Sequence, residues 1–170
     1  MQQPSNVSNE KHKNDNLEKI PELRFPEFND KWRIYVLKDI CGKIENGFSG
    51  TQVPFETNFP VTRIETMSFG KINYEKVGYV ENIDEKYRLQ EGDLLLTHIN
   101  SLKWIGNVVY FNNKKRLYHE MNLMLLRIKK EFNSKFIYYY ITQHNKWFKK
   151  MACQAVNQAS INKSPFSTIL

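Results

Sequence analysis

Three short apolar runs, each fenced by turn residues, constrain the fold of this 170-residue chain more than any other feature. "EGDLLLTHI" (91–99) enters through a Glu-Gly-Asp turn, "IGNVVYF" (105–111) leaves into the turn "NNKK", and "NLMLLRI" (122–128) is an unbroken apolar stretch. Such runs are too short for helices and read as strands. "FPVTRIETM" (59–67) adds a segment rich in Val, Thr and Ile, and "YEKVGYVEN" (74–82) alternates. Together they predict a curled, mixed or antiparallel β-sheet. The period then changes in "FNSKFIYYYITQHNKWFKKMA" (132–152), where Phe136, Ile137, Tyr140, Ile141, His144, Trp147, Phe148 and Met151 recur at helical spacing. One helix is expected there, capped by Asn133 or Ser134, its aromatic face packed on the sheet and Lys135, Thr142, Gln143, Lys146, Lys149 and Lys150 on the other side. The fold class is α+β, a sheet domain with packed helices.

Ahead of these elements, residues 1–20 are polar and nearly free of aromatic side chains, so burial cannot offset their ordering entropy; a disordered lead-in is expected. One domain is expected over residues 21–170, beginning near "PELRFPEFNDKWRIYVLKDI". No run approaches the roughly 18 consecutive apolar residues of a membrane span, and the N-terminus lacks the apolar centre of a secretory signal. A cytoplasmic location is the expectation. Cys41 and Cys153 lack metal or redox spacing and read as two reduced thiols.

Charge is distributed unevenly. Residues 1–100 carry 13 Lys/Arg against 16 Asp/Glu, whereas residues 101–170 carry 12 against 2. So basic a C-terminal part calls for a polyanion, because cations that neutralise phosphates gain from counterion release and long-range steering. The cations expected on phosphates are Lys114, Lys115 and Arg116 in one cluster, and Lys146, Lys149, Lys150 and Lys163 further on. A solvated basic face or an acidic protein partner is the competing reading.

Catalytic constellations do not emerge. The chain has neither a glycine-rich cofactor loop after a strand nor an Asn/Asp-Pro-Pro-aromatic motif, so methyl transfer to an exocyclic amine is not encoded. "IDEK" (83–86) has no upstream partner carboxylate and reads as a turn with solvated charges rather than a nuclease centre. His12, His98, His119 and His144 show no metal-ligand spacing and read as surface or satisfied core; no metal site is expected. "NGFSGTQVPF" (46–55) lacks the Gly-Lys-Ser/Thr ending of a phosphate-binding loop and reads as a shaped loop. A binding module fits these residues better than an enzyme.

The succession of segments resembles the N-terminal target-recognition domain of the DNA specificity subunit of type I restriction-modification systems. The resemblance rests on "PELRFPEFNDKWRIYVLKDI", the loop "ENGFSGTQVPF", "FPVTRIETMSFGKI", "LQEGDLLLTHINS" followed by "IGNVVYF", and the helix-plus-ribbon "FIYYYITQ" and "AVNQASINKSPFSTI". It implies double-stranded DNA as ligand, one half of a bipartite target as the sequence read, and no catalysis by the chain itself. As partners it implies modification subunits that bind S-adenosylmethionine and methylate adenine, and a restriction subunit that is a motor-nuclease using ATP and Mg; no cofactor is expected on this chain. It also implies a long spacer helix after the domain, so the chain is expected to be an excised or truncated N-terminal recognition domain.

Within that frame, amides can pair bidentately with adenine and Arg can fork onto guanine. The candidate base readers are Thr62 and Arg63 on the β-rich segment, Asn100, Ser101 and Lys103 in "THINSLKW", and Asn157, Gln158 and Ser160 in the ribbon. Arg63 reads equally as a salt bridge to Glu65 or Glu45. Asn162 or Ser164 can also cap a short helix beginning at Pro165. The alternative function is a protein-interaction module that docks the modification subunit through Tyr138, Tyr139 and Trp104 and has little DNA affinity of its own.

Overall fold

The computed structural model describes residues 25–27, 33–68, 70–155 and 158–163, and the chain divides into two units, Met1–Ile34 and Tyr35–Leu170. In the first, residues 26–27 form an exposed turn. The second runs α1 (Leu37–Ile40), β1 (Cys41–Asn46), β2 (Pro60–Val61), β3 (Met67–Ser68), β4 (Lys71–Ile72), β5 (Gly78–Tyr79), β6 (Leu94–Thr97), β7 (Ile99–Asn100), β8 (Val108–Tyr110), β9 (Leu123–Ile128), α2 (Ser134–Gln143), α3 (Asn145–Met151), β10 (Cys153–Ala155) and β11 (Gln158–Ser160). The α+β expectation holds.

The three apolar runs become β6, β8 and β9, which with β1 form an antiparallel sheet in the order β1-β9-β6-β8. Both faces of the central pair are covered, which is why these strands read as continuous apolar runs rather than alternating ones. Leu94, Leu96, Met124 and Leu126 face a cluster with Ile141 and Phe148 of the helices. Leu95, Leu123 and Leu125 face Leu89, Phe111 and Leu117 on the other side. Each such leucine contributes about 1.5–3 kcal/mol by leaving water.

Continuous apolar strands specify register weakly, because a one-residue slip still buries apolar side chains. A buried ion pair supplies what the leucines cannot. Asp93, 1% exposed, opens β6, and both its carboxylate oxygens accept from Arg127 on β9: Nε to Oδ1 at 2.8 Å and a terminal guanidinium nitrogen to Oδ2 at 2.8 Å. The Gln90 amide donates to Oδ2 at 2.7 Å, and Arg127 also donates to the Arg88 carbonyl at 3.1 Å. The Asp93 carboxylate raises the Arg127 guanidinium above its ordinary range.

Several elements differ from the expectation. The segment 59–67 is strand only at Pro60–Val61, then turns through a short 3-10 helix, Ile64–Thr66. There the Thr66 hydroxyl accepts the Arg63 amide at 2.7 Å, a local bond that competes with strand pairing. Likewise Asn73 caps a 3-10 turn at Tyr74–Lys76, leaving β5 two residues long. The expected single helix is two, broken at His144. Asn133 is the cap, its side chain accepting from the Phe136 amide at 3.0 Å. Near the break the Thr142 hydroxyl donates back to the Tyr138 carbonyl at 2.8 Å, and the His144 amide and Nδ1 both donate to the Tyr140 carbonyl, at 3.1 and 2.8 Å. The amide bond closes the last α-helical turn of α2, and the two side-chain bonds add to the carbonyls at its end. The aromatic face is split as a result: Ile141 and Phe148 enter the core, whereas Phe136, His144 and Met151 are exposed.

Replacing Arg127 by Met is expected to strand a buried carboxylate and lower stability by about 3–5 kcal/mol. Replacing both partners, Asp93→Leu with Arg127→Met, is expected to recover much of that loss in urea unfolding while broadening the amide spectrum through register heterogeneity.

Candidate nucleic-acid interface

β7 leaves the central sheet at His98 and extends two residues before the chain turns. Those residues receive β11: Ala159 pairs with Asn100 and Ser160 with Ile99, antiparallel. The Ile161 amide donates to the His98 carbonyl at 2.9 Å, and β10 pairs with β11 on its far side. The three-stranded ribbon β10-β11-β7 therefore joins two groups of candidate base readers that lie far apart in sequence. Asn100 is half-buried and its side-chain oxygen accepts from the Ser101 amide at 2.7 Å. Ser101 and Lys103 are exposed, and Ser160 is half-buried. Gln158 contributes its backbone to β11, paired with Ala155. Asn157 lies outside the described residues, as do Ser164 and the helix expected at Pro165.

A rigid turn supports this edge. The Trp104 and Ile105 amides donate to the Ser101 carbonyl at 2.9 and 3.2 Å, and Thr97 closes the base through Gly106 and Asn107 at 2.9 and 2.8 Å. Gly106 is required on two counts: its φ is +77°, and a Cβ there would lie 2.7 Å from the Cβ of Phe148. The Asn145 side-chain Nδ2 donates to the Asn107 side-chain oxygen at 3.4 Å. The start of α3 is thus fastened beneath the turn.

These contacts unite segments 97–107 and 144–163, which contain Lys103, Lys146, Lys149, Lys150 and Lys163 and no Asp or Glu. Lys149 is half-buried and the other four are exposed. His98 sits at the junction, 3% exposed, its Nε2–H donating to the Met121 carbonyl at 2.8 Å. Burial holds its imidazole below the ordinary range, and nearby Lys163 acts in the same direction.

The remaining candidates lie elsewhere. Thr62 cannot read bases: it is fully buried and its hydroxyl accepts the Glu120 amide at 3.0 Å. Arg63 is held neither by Glu65 nor by Glu45 in the way the sequence suggests; its Nε donates to the Gln52 side chain at 2.5 Å. Gly78 makes room for that bond, since a Cβ there would overlap both Gln52 and Arg63. Lys114, Lys115 and Arg116 follow the opposite end of β8, after Phe111. Arg116 pairs with Glu85 at 3.4 Å, and Lys115 lies over the Tyr74 ring at 4.9 Å. That cluster is partly neutralised and does not join the ribbon.

The junction role of His98 has no signal in sequence, where it is a lone histidine between Thr97 and Ile99. His119 reads, like the other histidines, as surface or satisfied core. Its Nδ1 meets the Tyr87 carbonyl at 2.9 Å, but its Nε2 is buried without a partner. The Cys41 thiol is buried and pushed up to about 12, consistent with an inert thiol. Among the described residues no group of three or more His, Cys, Asp or Glu could hold a metal ion, and no helix is long and apolar enough to cross a membrane.

With this geometry in view, the profile of the family described as Type I restriction modification DNA specificity domain matches residues 29–169. The chain belongs to that family. A protein of Methanocaldococcus jannaschii named as the specificity subunit of the type I restriction enzyme MjaX is 41% identical over 161 residues, which is 90% of this chain and 37% of that protein. The chain thus spans little more than a third of the length of this relative. The crystal structure of a type I restriction-modification system S subunit from M. genitalium shares the fold, with a TM-score of 0.54 and 14% identity over 78% of this chain and 32% of that one.

Gly106→Ala is expected to destabilise the domain by about 1–3 kcal/mol, read as a lower urea midpoint, because the residue sits at positive φ and the added methyl meets the side chains of Phe148 and Asn145. A second expectation concerns pH. Burial lowers the proton affinity of His98 and His119 in the folded state, while the unfolded chain binds those protons near pH 6.5. The unfolded state then carries more protons, so stability rises with pH. It should be full above about pH 6.5 and decline as pH falls from there towards the folded values. Urea midpoints measured across this window should show that decline, and less of it in His98→Gln.

Proposed function

We propose that this chain is the DNA-reading module of a type I restriction-modification specificity subunit. It recognises one half of a bipartite duplex target in the cytoplasm and performs no chemistry itself. The observation that carries the reading is the union of segments 97–107 and 144–163 through β7–β11 pairing and the Asn145–Asn107 contact, segments whose sequences hold amide and hydroxyl groups and five lysines but no carboxylate. Phosphate contacts from Lys146, Lys149, Lys150 and Lys163 would set position, and Asn100, Ser101, Lys103, Asn157, Gln158 and Ser160 would read base edges. Lys114, Lys115 and Arg116 would contribute at most a peripheral phosphate contact, since Glu85 already engages Arg116.

In the complete assembly, modification subunits would hold S-adenosylmethionine and methylate the adenine, and a restriction subunit would supply ATP- and Mg-dependent translocation and cleavage. A single module should bind a half-site weakly, because affinity in the intact subunit gains from linking two readers.

Duplex affinity should fall steeply with salt. Substituting Lys146, Lys149 and Lys150 together by Glu should weaken binding to all sequences and lower the slope of log affinity against log salt by about 2–3. Fluorescence anisotropy at several salt concentrations measures both. Absence of duplex binding at low salt would instead favour a module that docks a protein through the exposed Tyr139 and Trp104.

A further inference from the structure

Leu102 and Trp104 are 38% and 41% exposed, two large apolar side chains within three residues at the tip of the turn that follows β7. Singly exposed apolar residues are ordinary, but a pair at one tip is not. A loose loop would fold such side chains back against the protein. This one is held outward: its amides are fixed on Ser101 and Thr97, Ile105 is fully buried beneath it, and Gly106 is wedged against Phe148. The Lys103 ammonium lies 5.1 Å from the centre of the Trp104 ring, so the apolar tip carries its own cation.

The charge of the two joined segments, together with Lys103 on the Trp104 ring, selects the partner. No carboxylate occurs between Leu94 and His119, and the adjoining segment 144–163 adds four lysines, again without a carboxylate. An apolar tip within such a field matches a polyanion whose interior is a stack of apolar faces, which describes a nucleic-acid duplex.

We propose that Leu102 and Trp104 form a wedge that enters the groove of a bound duplex and partly unstacks one base step, with Lys103 neutralising phosphate beside it. The inference rests on the DNA-recognition reading and adds a mechanism to it. Part of the sequence preference then comes from how easily a step deforms, favouring flexible pyrimidine–purine steps at the wedge, rather than from hydrogen bonds to base edges alone.

A wedge binds more tightly where unstacking has already occurred. The test compares two probes with the 170-residue chain: a fully paired mixed-sequence duplex of about two helical turns, and the same duplex with one unpaired base bulged at its centre. The wild type is expected to prefer the bulged duplex by roughly fivefold to tenfold. Leu102→Ala with Trp104→Ala should bind both probes equally while keeping the salt dependence of the wild type. Lys149→Glu with Lys150→Glu should weaken both and keep the preference. Thermal melts of each variant confirm folding, as the substituted side chains are largely outside the core. Equal, salt-dependent affinity of the wild type for both probes would overturn the wedge alone, as would a preference that survives in the Leu102/Trp104 variant. Failure of the wild type to bind either probe at low salt would overturn the DNA reading and the wedge with it.

Discussion

The bidentate contact between Asp93 and Arg127 fixes the alignment on which the rest of the domain is built. β6 and β9 are apolar on both faces, and hydrophobic burial alone rewards several alignments of two such strands almost equally. A carboxylate 1% exposed has no such freedom, because losing its guanidinium leaves an uncompensated charge in the interior. Once Leu94 is opposite Leu126, Thr97 falls opposite Leu123 and the chain leaves the sheet at His98 in one defined place. The ribbon docks there. The ion pair, at one end of β6, thereby sets the position of the ribbon at the other.

Positive charge is organised by the same topology. Antiparallel pairing puts the turn before β8 and the turn after it at opposite ends of the strand, so Lys103 and the Lys114–Arg116 cluster separate although they are close in sequence. Conversely, β7–β11 pairing brings Lys163 close to His98, at the point where β7 leaves the sheet. The cations near the ribbon have no carboxylate in their own segments, whereas Arg116 already shares Glu85 with Arg88 and Tyr118. Local charge count in the sequence would rank the triple cluster first. Topology reverses that order.

Strands that bury both faces were legible because unbroken leucine runs between turn residues have few other uses, and the Asn133 cap was legible from its place before a helical period. What sequence did not reveal depended on partners remote in the chain. Thr62 reads as an accessible hydroxyl until Tyr118 and Glu120 are seen to cover it. Arg63 has Glu65 two residues away and Glu45 on β1 as candidate acids, yet it finds Gln52, a bond made possible by the bare backbone of Gly78. The break at His144, where the backbone leaves the helical region while its ring nitrogen joins its own amide on the Tyr140 carbonyl, is something periodicity does not register. The ribbon residues were recognised by their amide content, but their union with Asn100 and Ser101 required the two-residue strand β7, far below the length that any pattern detects.

That brevity has a consequence for how such proteins diversify. A spur of only two residues branches from a fully packed strand and carries the proposed reading loop. Residues 100–104 lie outside the apolar clusters of the sheet, so, on the proposed reading, exchanging their side chains would alter specificity and leave the scaffold's core unchanged. The architecture behaves as a socket with interchangeable bits.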